Sequence, residues 1–234
     1  MAYKMAPNIK QKVKELSRKN WFMYRITAFA VNLYDHMGGA KIIKSGCVKI
    51  SKNVRGKNNS FISGEGCLID KLGLCIIGDN NKITIGRNCT IQKGCNFWII
   101  GNNSSIVIGD DTRIGANCAI EVQEDNQHIT VGNDNLWSHN IRLRNNDSHY
   151  IYDKETGKRT NLPRGIEIGN HVWIAAFATI LKGVHVGNGS VIGTHALVTK
   201  DVPENVVSVG IPAKVVQSNI EWSDSPKQTN INGE

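Results

Sequence analysis

The sequence predicts a mainly β protein built as a parallel β-helix of hexapeptide repeats, and three observations support this prediction. First, an aliphatic residue returns every six positions without a miss: Ile168, Ile174, Ile180, Val186, Ile192 and Val198. A period of six matches neither an α-helix nor a flat strand and is typical of coils whose flat sides each bury one aliphatic residue. Second, a spacing of 23 residues indicates longer coils upstream, at Ile62, Ile85, Ile108 and Val131. Third, the hydrophobic fraction is 40% but the aromatic fraction only 6%, as expected for a core of stacked Ile and Val.

The chain divides into three segments. Residues 1–60 form a basic N-terminal segment, with a short helical part and the entry to the first coil. Residues 61–217 form the β-helix domain, and residues 218–234 form a polar tail that we expect to be disordered. One coil is expanded by a loop insertion near residues 143–167. Excess length in a solenoid maps to a loop on one face, and such loops commonly carry the function.

Charge is concentrated at the N-terminus, where residues 1–60 hold 13 Lys and Arg against Glu15 and Asp35, a net charge of +11. Three interpretations remain open: a cap on the open end of the β-helix, a peripheral contact with an anionic membrane surface, or attraction of a polyanionic substrate. Nucleic acid is not expected as a partner, because the rest of the chain is slightly acidic. No apolar run is long enough to span a membrane and no secretory signal is evident. We therefore expect a cytoplasmic protein, at the inner face of the membrane if the basic segment binds there.

The cysteines favour a structural role. Cys89, Cys95 and Cys118 each follow a stacking aliphatic residue by four positions, where other repeats carry small residues. They are expected to fill small buried sites as reduced thiols. Because no C-x-x-C pair is present, no metal site is expected.

Four motifs occur in one order along the chain: H-Y-I-Y-D from His149, N-H-V-W ending at Trp173, T-K-D-V-P from Thr199, and G-I-P-A-K ending at Lys214. In this order they resemble the hexapeptide-repeat acyltransferase family, and within it the O-acetyltransferases that act on sugars and bacterial surface polysaccharides. The resemblance covers residues 60–217. It implies a left-handed β-helix of triangular section, assembled as a homotrimer, with acetyl-CoA bound in grooves between neighbouring subunits.

The resemblance also implies roles for individual residues. His149 matches the catalytic histidine, and an imidazole with an ordinary pKa of about 6.5 can take the proton of a sugar hydroxyl as that hydroxyl attacks a thioester. Trp173 matches a tryptophan beside the catalytic site, where its indole N–H could donate to the developing oxyanion. The alternative for Trp173 is packing at the subunit interface.

For the coenzyme, the resemblance implies contacts at five positions: Ala176, Thr194, Thr199, Lys214 and Gln217. Lys214 matches a basic residue near the nucleotide phosphates, whereas Gln217 stands where relatives often carry a second basic residue. Arg142 and Arg144 precede the histidine loop and could face an anionic sugar, or could equally be solvated charges.

The resulting hypothesis is an acetyl-CoA-dependent O-acetyltransferase acting on a bacterial capsular polysaccharide, O-antigen or exopolysaccharide. One alternative is an acetyltransferase of a small sugar or nucleotide-sugar. Another is a metalloenzyme similar to the γ-carbonic anhydrases, which would need three zinc-binding histidines that the sequence does not evidently supply. A non-catalytic scaffold would leave His149, in the expanded loop, unexplained.

Overall fold

The computed structural model describes residues 40–226, which form a left-handed parallel β-helix with three flat faces. The predicted N-terminal helical segment lies outside the described residues. Face 1 consists of β1 (Ala40–Ile43), β3 (Asn59–Ser63), β5 (Lys82–Ile85), β8 (Ser105–Ile108), β11 (His128–Val131), β14 (Ile166–Ile168) and β17 (His185–Val186). Within residues 40–226, no helix is long and apolar enough to cross a membrane.

Faces 2 and 3 follow face 1 in each coil. Face 2 consists of β6 (Thr90–Ile91), β9 (Arg113–Ile114), β12 (Leu136–Trp137), β15 (Trp173–Ile174), β18 (Val191–Ile192) and β20 (Val206–Gly210). Face 3 consists of β7 (Asn96–Ile100), β10 (Ala119–Gln123), β13 (Arg142–Arg144), β16 (Thr179–Leu181) and β19 (Leu197–Val198). Two long strands, β2 (Cys47–Arg55) and β4 (Leu68–Ile77), pair with each other, and β4 continues through both faces. The last strand, β21 (Ala213–Ser218), pairs antiparallel with β20.

The core consists of columns of aliphatic side chains, one residue from each coil. On face 1 the parallel register places one column in line: Ile83, Ile106, Ile129 and Ile166, all buried. Fully burying one such side chain stabilises the fold by roughly 1.5–3 kcal/mol, so the columns supply the main driving force for stacking.

The edges between the faces require a backbone conformation that few residues adopt. Asn80, Asn103 and Asn126 occupy equivalent positions with φ of 58°, 54° and 59°. Asparagine enters this left-handed region more readily than most residues. The side chains also form a ladder, because Asn80 Nδ2 donates to Asn103 Oδ1 at 3.1 Å and Asn103 Nδ2 donates to Asn126 Oδ1 at 3.4 Å.

The predicted burial of the three cysteines is confirmed. Cys89, Cys95 and Cys118 are buried and unpaired by disulfides. Their Sγ atoms lie 3.0–3.3 Å from carbonyl oxygens of the next coil. Burial raises the pKa of the Cys89 thiol to about 12, so this group stays protonated and unreactive at neutral pH.

Two expectations need correction. Ile62 does not belong to the column of Ile85, because Ser63 pairs with Ile85 and Ile62 pairs with the outward Thr84. The first coil is therefore one residue shorter than the 23-residue repeat. In addition, residues 219–224 of the tail expected to be disordered lie against the β-helix, where the Ile220 N–H donates to Asn205 O at 3.0 Å. Residues 227–234 of the tail lie outside the described residues.

We expect Ile106→Ala to lower the free energy of unfolding by about 2–5 kcal/mol, because it opens a cavity in the middle of a column. Val107→Ala is the matched control on the outward side of the same strand, with an expected loss of about 0.5 kcal/mol. Urea unfolding followed by circular dichroism measures both. Equal losses would contradict the assignment of inward and outward positions.

Candidate active site

The expanded loop comprises residues 145–165, between β13 and β14, and it begins at a polar residue in a core position. Asn145 follows Arg144, which pairs with Glu121, so Asn145 lies next to Val122 in an otherwise aliphatic column. Its side chain is fully buried; Oδ1 accepts from Gln123 N at 2.8 Å and Nδ2 donates to Gln123 O at 3.1 Å. Asn145 thereby satisfies main-chain groups where the chain leaves the strand.

Asn161 holds the loop segment that carries His149. Its Nδ2 donates to His149 O at 2.7 Å and to Asp147 Oδ2 at 3.0 Å, while its Oδ1 accepts from Ile151 N at 2.8 Å. The His149 side chain is exposed. A single buried amide therefore fixes the backbone on both sides of an exposed imidazole.

A second brace connects the loop to the preceding coil. Arg159 Nη1 and Nη2 donate to the two carboxylate oxygens of Glu124, each at 2.6 Å, and Asn146 Nδ2 donates to Glu124 Oε1 at 2.8 Å. The Arg159 guanidinium also lies 4.5 Å from the centre of the Tyr150 ring. The hydrogen bonds from Arg159 hold the pKa of Glu124 below its ordinary value. Such a bidentate pair is geometrically specific, so it restrains where the loop can lie.

A third brace connects the loop to the following coil. Lys182 Nζ donates to Asp147 Oδ2, and this bond lowers the pKa of the Asp147 carboxyl. His149 thus lies two residues after Asp147, which is anchored to both Asn161 and Lys182.

The two candidate acceptor-binding arginines share one buried carboxylate. Arg142 Nε lies 3.3 Å from Glu121 Oε1, and Arg144 Nε lies 3.0 Å from Glu121 Oε2, although the latter N–H is not aligned as a hydrogen bond. Arg144 also donates from Nη2 to Ser148 Oγ at 2.6 Å. Arg144 is therefore engaged with the base of the loop, whereas the Arg142 side chain remains 55% exposed.

One chain does not bring the two predicted catalytic residues together. His149 lies in the connection from face 3 to face 1, and in a triangular section this edge is opposite face 2. Trp173 lies on face 2 with its side chain outward, 40% exposed, and in register with Leu136 and Val191. A site that contains both side chains would need two chains.

The candidate coenzyme residues occupy three places. Ala176 and Thr194 occupy the edge between faces 2 and 3 in adjacent coils, because His195 N donates to Ala176 O at 2.9 Å. Lys214 is near the same edge, since it pairs with Val209 on β20. Thr199 follows β19 at the edge that carries the His149 loop, so the structure does not place it with the others. Gln217, exposed on β21, pairs with Val207.

An aromatic column along the edge between faces 2 and 3 was not predicted from the sequence. The Phe177 ring stacks on His195, with centroids 4.7 Å apart and planes 3° apart. His139 meets the other side of Phe177 edge-on, at 5.2 Å and 80°. Phe177 is 44% exposed, so the column presents ring surface to solvent.

The carboxylates and the amide that brace the loop were also not predicted from the sequence. Glu121 could have been found, because it precedes Arg144 by the 23 residues of the repeat. Asn161 and the ion pair between Arg159 and Glu124 carry no periodic signal, since they depend on the path of the loop. Among residues 40–226, no group of three or more His, Cys, Asp or Glu side chains could hold a metal ion.

We expect Asn161→Ala to loosen the loop, because it removes three hydrogen bonds around His149. Leaving one partly buried group unpaired costs about 1–3 kcal/mol, which corresponds to about 5–150-fold faster amide exchange in residues 147–152. Thr156→Ala, which removes a hydroxyl at the exposed tip of the loop, is the control and should leave exchange there unchanged. Hydrogen exchange with mass spectrometry measures both. Unchanged protection in Asn161→Ala would show that the ion pairs alone hold the loop.

The lowered pKa values of Glu124 and Asp147 predict how the loop responds to acid. Both carboxyls are ionised more readily in the folded chain, so their stabilisation is complete above the unfolded values of about 4.3 and 3.9 and is lost as pH falls through the lower folded values. Loop protection, corrected for intrinsic exchange, should therefore stay constant from pH 8 to about 5 and decline only below about 4. Glu124→Gln should remove most of this acid transition, while Glu155→Gln in the exposed part of the loop should leave it unchanged. A transition near neutral pH would rule out these carboxylates as its cause.

The comparisons with known proteins agree with this geometry. The family described as bacterial transferase hexapeptide (six repeats) matches residues 165–200. Galactoside O-acetyltransferase of Escherichia coli (strain K12) is 44% identical over 64 residues, which cover 27% of this chain and 30% of that protein. Polysialic acid O-acetyltransferase of Escherichia coli O1:K1 / APEC is 34% identical over 87 residues, which cover 37% of this chain and 28% of that protein. The matched segments thus span less than a third of these curated relatives.

The similarity to two solved structures extends much further. The crystal structure of the polySia-specific acetyltransferase NeuO matches with a TM-score of 0.72 and 32% identity over 81% of this chain and 80% of that chain. The structure of the polysialic acid O-acetyltransferase OatWY matches with a TM-score of 0.73 and 30% identity over 82% of this chain and 92% of that chain. With identity at this level over most of both chains, the chain belongs to the hexapeptide-repeat transferase family.

Proposed function

We propose that this protein is an acetyl-CoA-dependent O-acetyltransferase whose acceptor is a bacterial surface glycan: a capsular polysaccharide, an O-antigen or an exopolysaccharide. The observation that carries the proposal is the similarity over four-fifths of the chain to two acetyltransferases named for polysialic acid. The exposed His149, on a loop braced from three directions, supplies the group that such a reaction needs.

In the proposed reaction His149 acts as general base. It accepts the proton of the acceptor hydroxyl as the hydroxyl oxygen attacks the thioester carbonyl of acetyl-CoA. The imidazolium then returns that proton to the leaving thiolate, so the products are the O-acetyl ester and CoA. General-base assistance of this kind contributes about 10²–10⁴ in rate. The rest must come from positioning and from donors to the tetrahedral oxyanion, the role proposed for the indole Nε1 of Trp173.

The residues on the edge between faces 2 and 3 fit an extended coenzyme. Small side chains at Ala176 and Thr194 leave room for the pantetheine arm of acetyl-CoA along two coils. Lys214 offers a positive charge to the phosphates of the coenzyme. The exposed ring of Phe177 adds an aromatic surface beside this path. Gln217 is uncharged, so we do not propose that it binds a phosphate of the coenzyme. Thr199 lies at a different edge, so it could contact the coenzyme only from there.

The positions of His149 and Trp173 support a homotrimer with sites between subunits. Each site would combine the His149 loop of one chain with face 2 of its neighbour, where Trp173 is exposed. Closed cyclic symmetry would then repeat the same groove at every interface.

The acceptor is proposed to be anionic. The Arg142 side chain is 55% exposed beside the loop, and Arg164 is exposed at the end of the loop, so both can meet a carboxylate without disturbing the bracing ion pairs. An acetyltransferase of a smaller acceptor is the second candidate, favoured by the match to galactoside O-acetyltransferase. We further propose a cytoplasmic location, at the inner membrane face if the basic segment of residues 1–60 contacts anionic lipid.

We expect His149→Ala to lower kcat by at least about 10²-fold, because the general base is lost. Acetyl-CoA should still bind, because the substitution does not alter the edge between faces 2 and 3. Turnover is measured as transfer of acetyl from acetyl-CoA to polysialic acid and to a panel of neutral and anionic glycans. CoA is quantified by chromatography, because the exposed Cys47 would itself react with thiol reagents. Near-normal turnover in His149→Ala would remove this residue from the mechanism.

The two-chain site predicts complementation between inactive variants. His149→Ala and Trp173→Ala chains, mixed after dissociation, should regain about a quarter of wild-type activity, because one interface in four then combines an intact histidine with an intact tryptophan. Each variant refolded alone is the control and should stay inactive. If mixing restores nothing although mixed oligomers form, the two residues do not share a site across an interface.

A further inference from the structure

The chain after β21 forms a strap along face 2, which we define as residues 219–224. Ile220 is hydrogen bonded to Asn205 in the last coil, Trp222 packs on His171, and Asp224 pairs with Arg113 at 2.8 Å. Arg113 lies two coils beyond Trp173 in the same column of face 2, through Leu136. The strap therefore runs back along the axis of the β-helix and passes the candidate catalytic tryptophan.

Trp222 is the most firmly held residue of the strap. Its ring stacks on His171, with centroids 4.1 Å apart and planes 8° apart. Its Nε1 donates to His171 O at 2.9 Å, and its carbonyl oxygen lies 3.1 Å from His171 Nε2. His171 is fixed in turn, because its Nδ1 lies 2.7 Å from Asp134 Oδ2. Three contacts thus set both the position and the tilt of the Trp222 indole.

Trp173 is the side chain that this arrangement affects. The Trp173 and Trp222 rings lie 6.1 Å apart at 46°, whereas the column neighbours of Trp173 on face 2 are the aliphatic residues Leu136 and Val191. A tryptophan that is 40% exposed on a flat strand has several rotamers open to it, and a rigid ring beside it removes some of them.

We propose that Trp222 is a positioning residue that holds the indole of Trp173 in the orientation used for acetyl transfer. The inference rests on the proposed function, and specifically on the role of Trp173 there. Catalytic groups must be held within about 0.5 Å of their productive geometry, so a freed indole should slow the chemical step more than it weakens coenzyme binding.

The test compares Trp222→Ala, Trp222→Phe, Trp173→Phe and the double variant Trp173→Phe/Trp222→Ala in the full chain. The assay uses acetyl-CoA with polysialic acid or with the best acceptor of the panel. We expect Trp222→Ala to lower kcat by about 10–100-fold with less than about threefold change in the acetyl-CoA KM. Trp222→Phe, which retains a ring on His171, should recover most of the loss. Ser223→Ala is the matched control, because its hydroxyl accepts a hydrogen bond from Ser225 N, just after the strap, and not from the coils of the β-helix.

The double variant separates positioning from an independent effect. If Trp222 acts through Trp173, then Trp222→Ala should cost nothing further once Trp173 is replaced. The proposal would be overturned if Trp222→Ala lowered kcat in the double variant by the same factor as in the unaltered chain. It would also be overturned if Trp222→Ala left kcat unchanged while Trp173→Phe lowered it. Full turnover in Trp173→Phe would refute the role of Trp173 and the inference with it, whereas no turnover by the unaltered chain on any acceptor would refute the proposed function itself.

Two further measurements separate a loss of stability from a change in the orientation of the Trp173 indole. The melting temperature of Trp222→Ala should match that of Ser223→Ala, because the strap lies outside the columns of the core. The coupled circular dichroism of the two indoles, which depends on their mutual orientation, should be present in the unaltered chain and in Ser223→Ala and absent in Trp222→Phe. Asp224→Asn, which weakens only the far end of the strap, should reduce this signal and kcat together; a reduced signal with unchanged kcat would contradict the proposal.

Discussion

The register between successive coils is the constraint on which the rest of this structure depends. Along the strands, main-chain N–H groups donate to carbonyls of the neighbouring coil, so each strand residue lies beside its equivalent one repeat away. This pairing aligns the inward aliphatic residues into columns and equally aligns the outward ones. Contacts such as Glu121 with Arg144 are therefore consequences of the repeat length, and a change of one residue in a coil would shift every outward partner beyond it.

The register also decides where irregular chain can be accommodated. An insertion within a face would interrupt a column, whereas an insertion at an edge leaves the columns on either side intact. The 145–165 loop uses the edge between faces 3 and 1, and the buried Asn145 takes an aliphatic position just where the chain departs. The loop then depends on polar contacts from Asn161, Glu124 and Lys182, because it has no core of its own.

Much of the fold was predictable because one period governs it. The six-residue spacing locates the buried positions from Ile168 to Val198, and the small buried sites of the cysteines follow from the same phase. The phase fails at Ile62, where the coil is one residue shorter and Ser63 takes the inward position. The location of the site was predictable from the excess length around His149, but its braces were not, since Asn161 and Arg159 meet their partners through the loop's own path. The strap was not predicted because residues 219–224 are mostly polar, and because His171, on which Trp222 packs, is 51 residues away in the sequence.

A solenoid of this kind cannot form an enclosed site by itself. Its interior is filled by the aliphatic columns, so every reactive side chain must lie on an outer surface, where water weakens electrostatic stabilisation of a transition state. His149 and Trp173 are moreover on opposite sides of the triangular section. The two requirements, excluding water and uniting these residues, are met together if the loop of one chain covers face 2 of another. The strap lies on that same face beside Trp173, so the irregular segments at the loop and at the C-terminus would bound the proposed groove from two sides while the regular coils keep both at fixed positions.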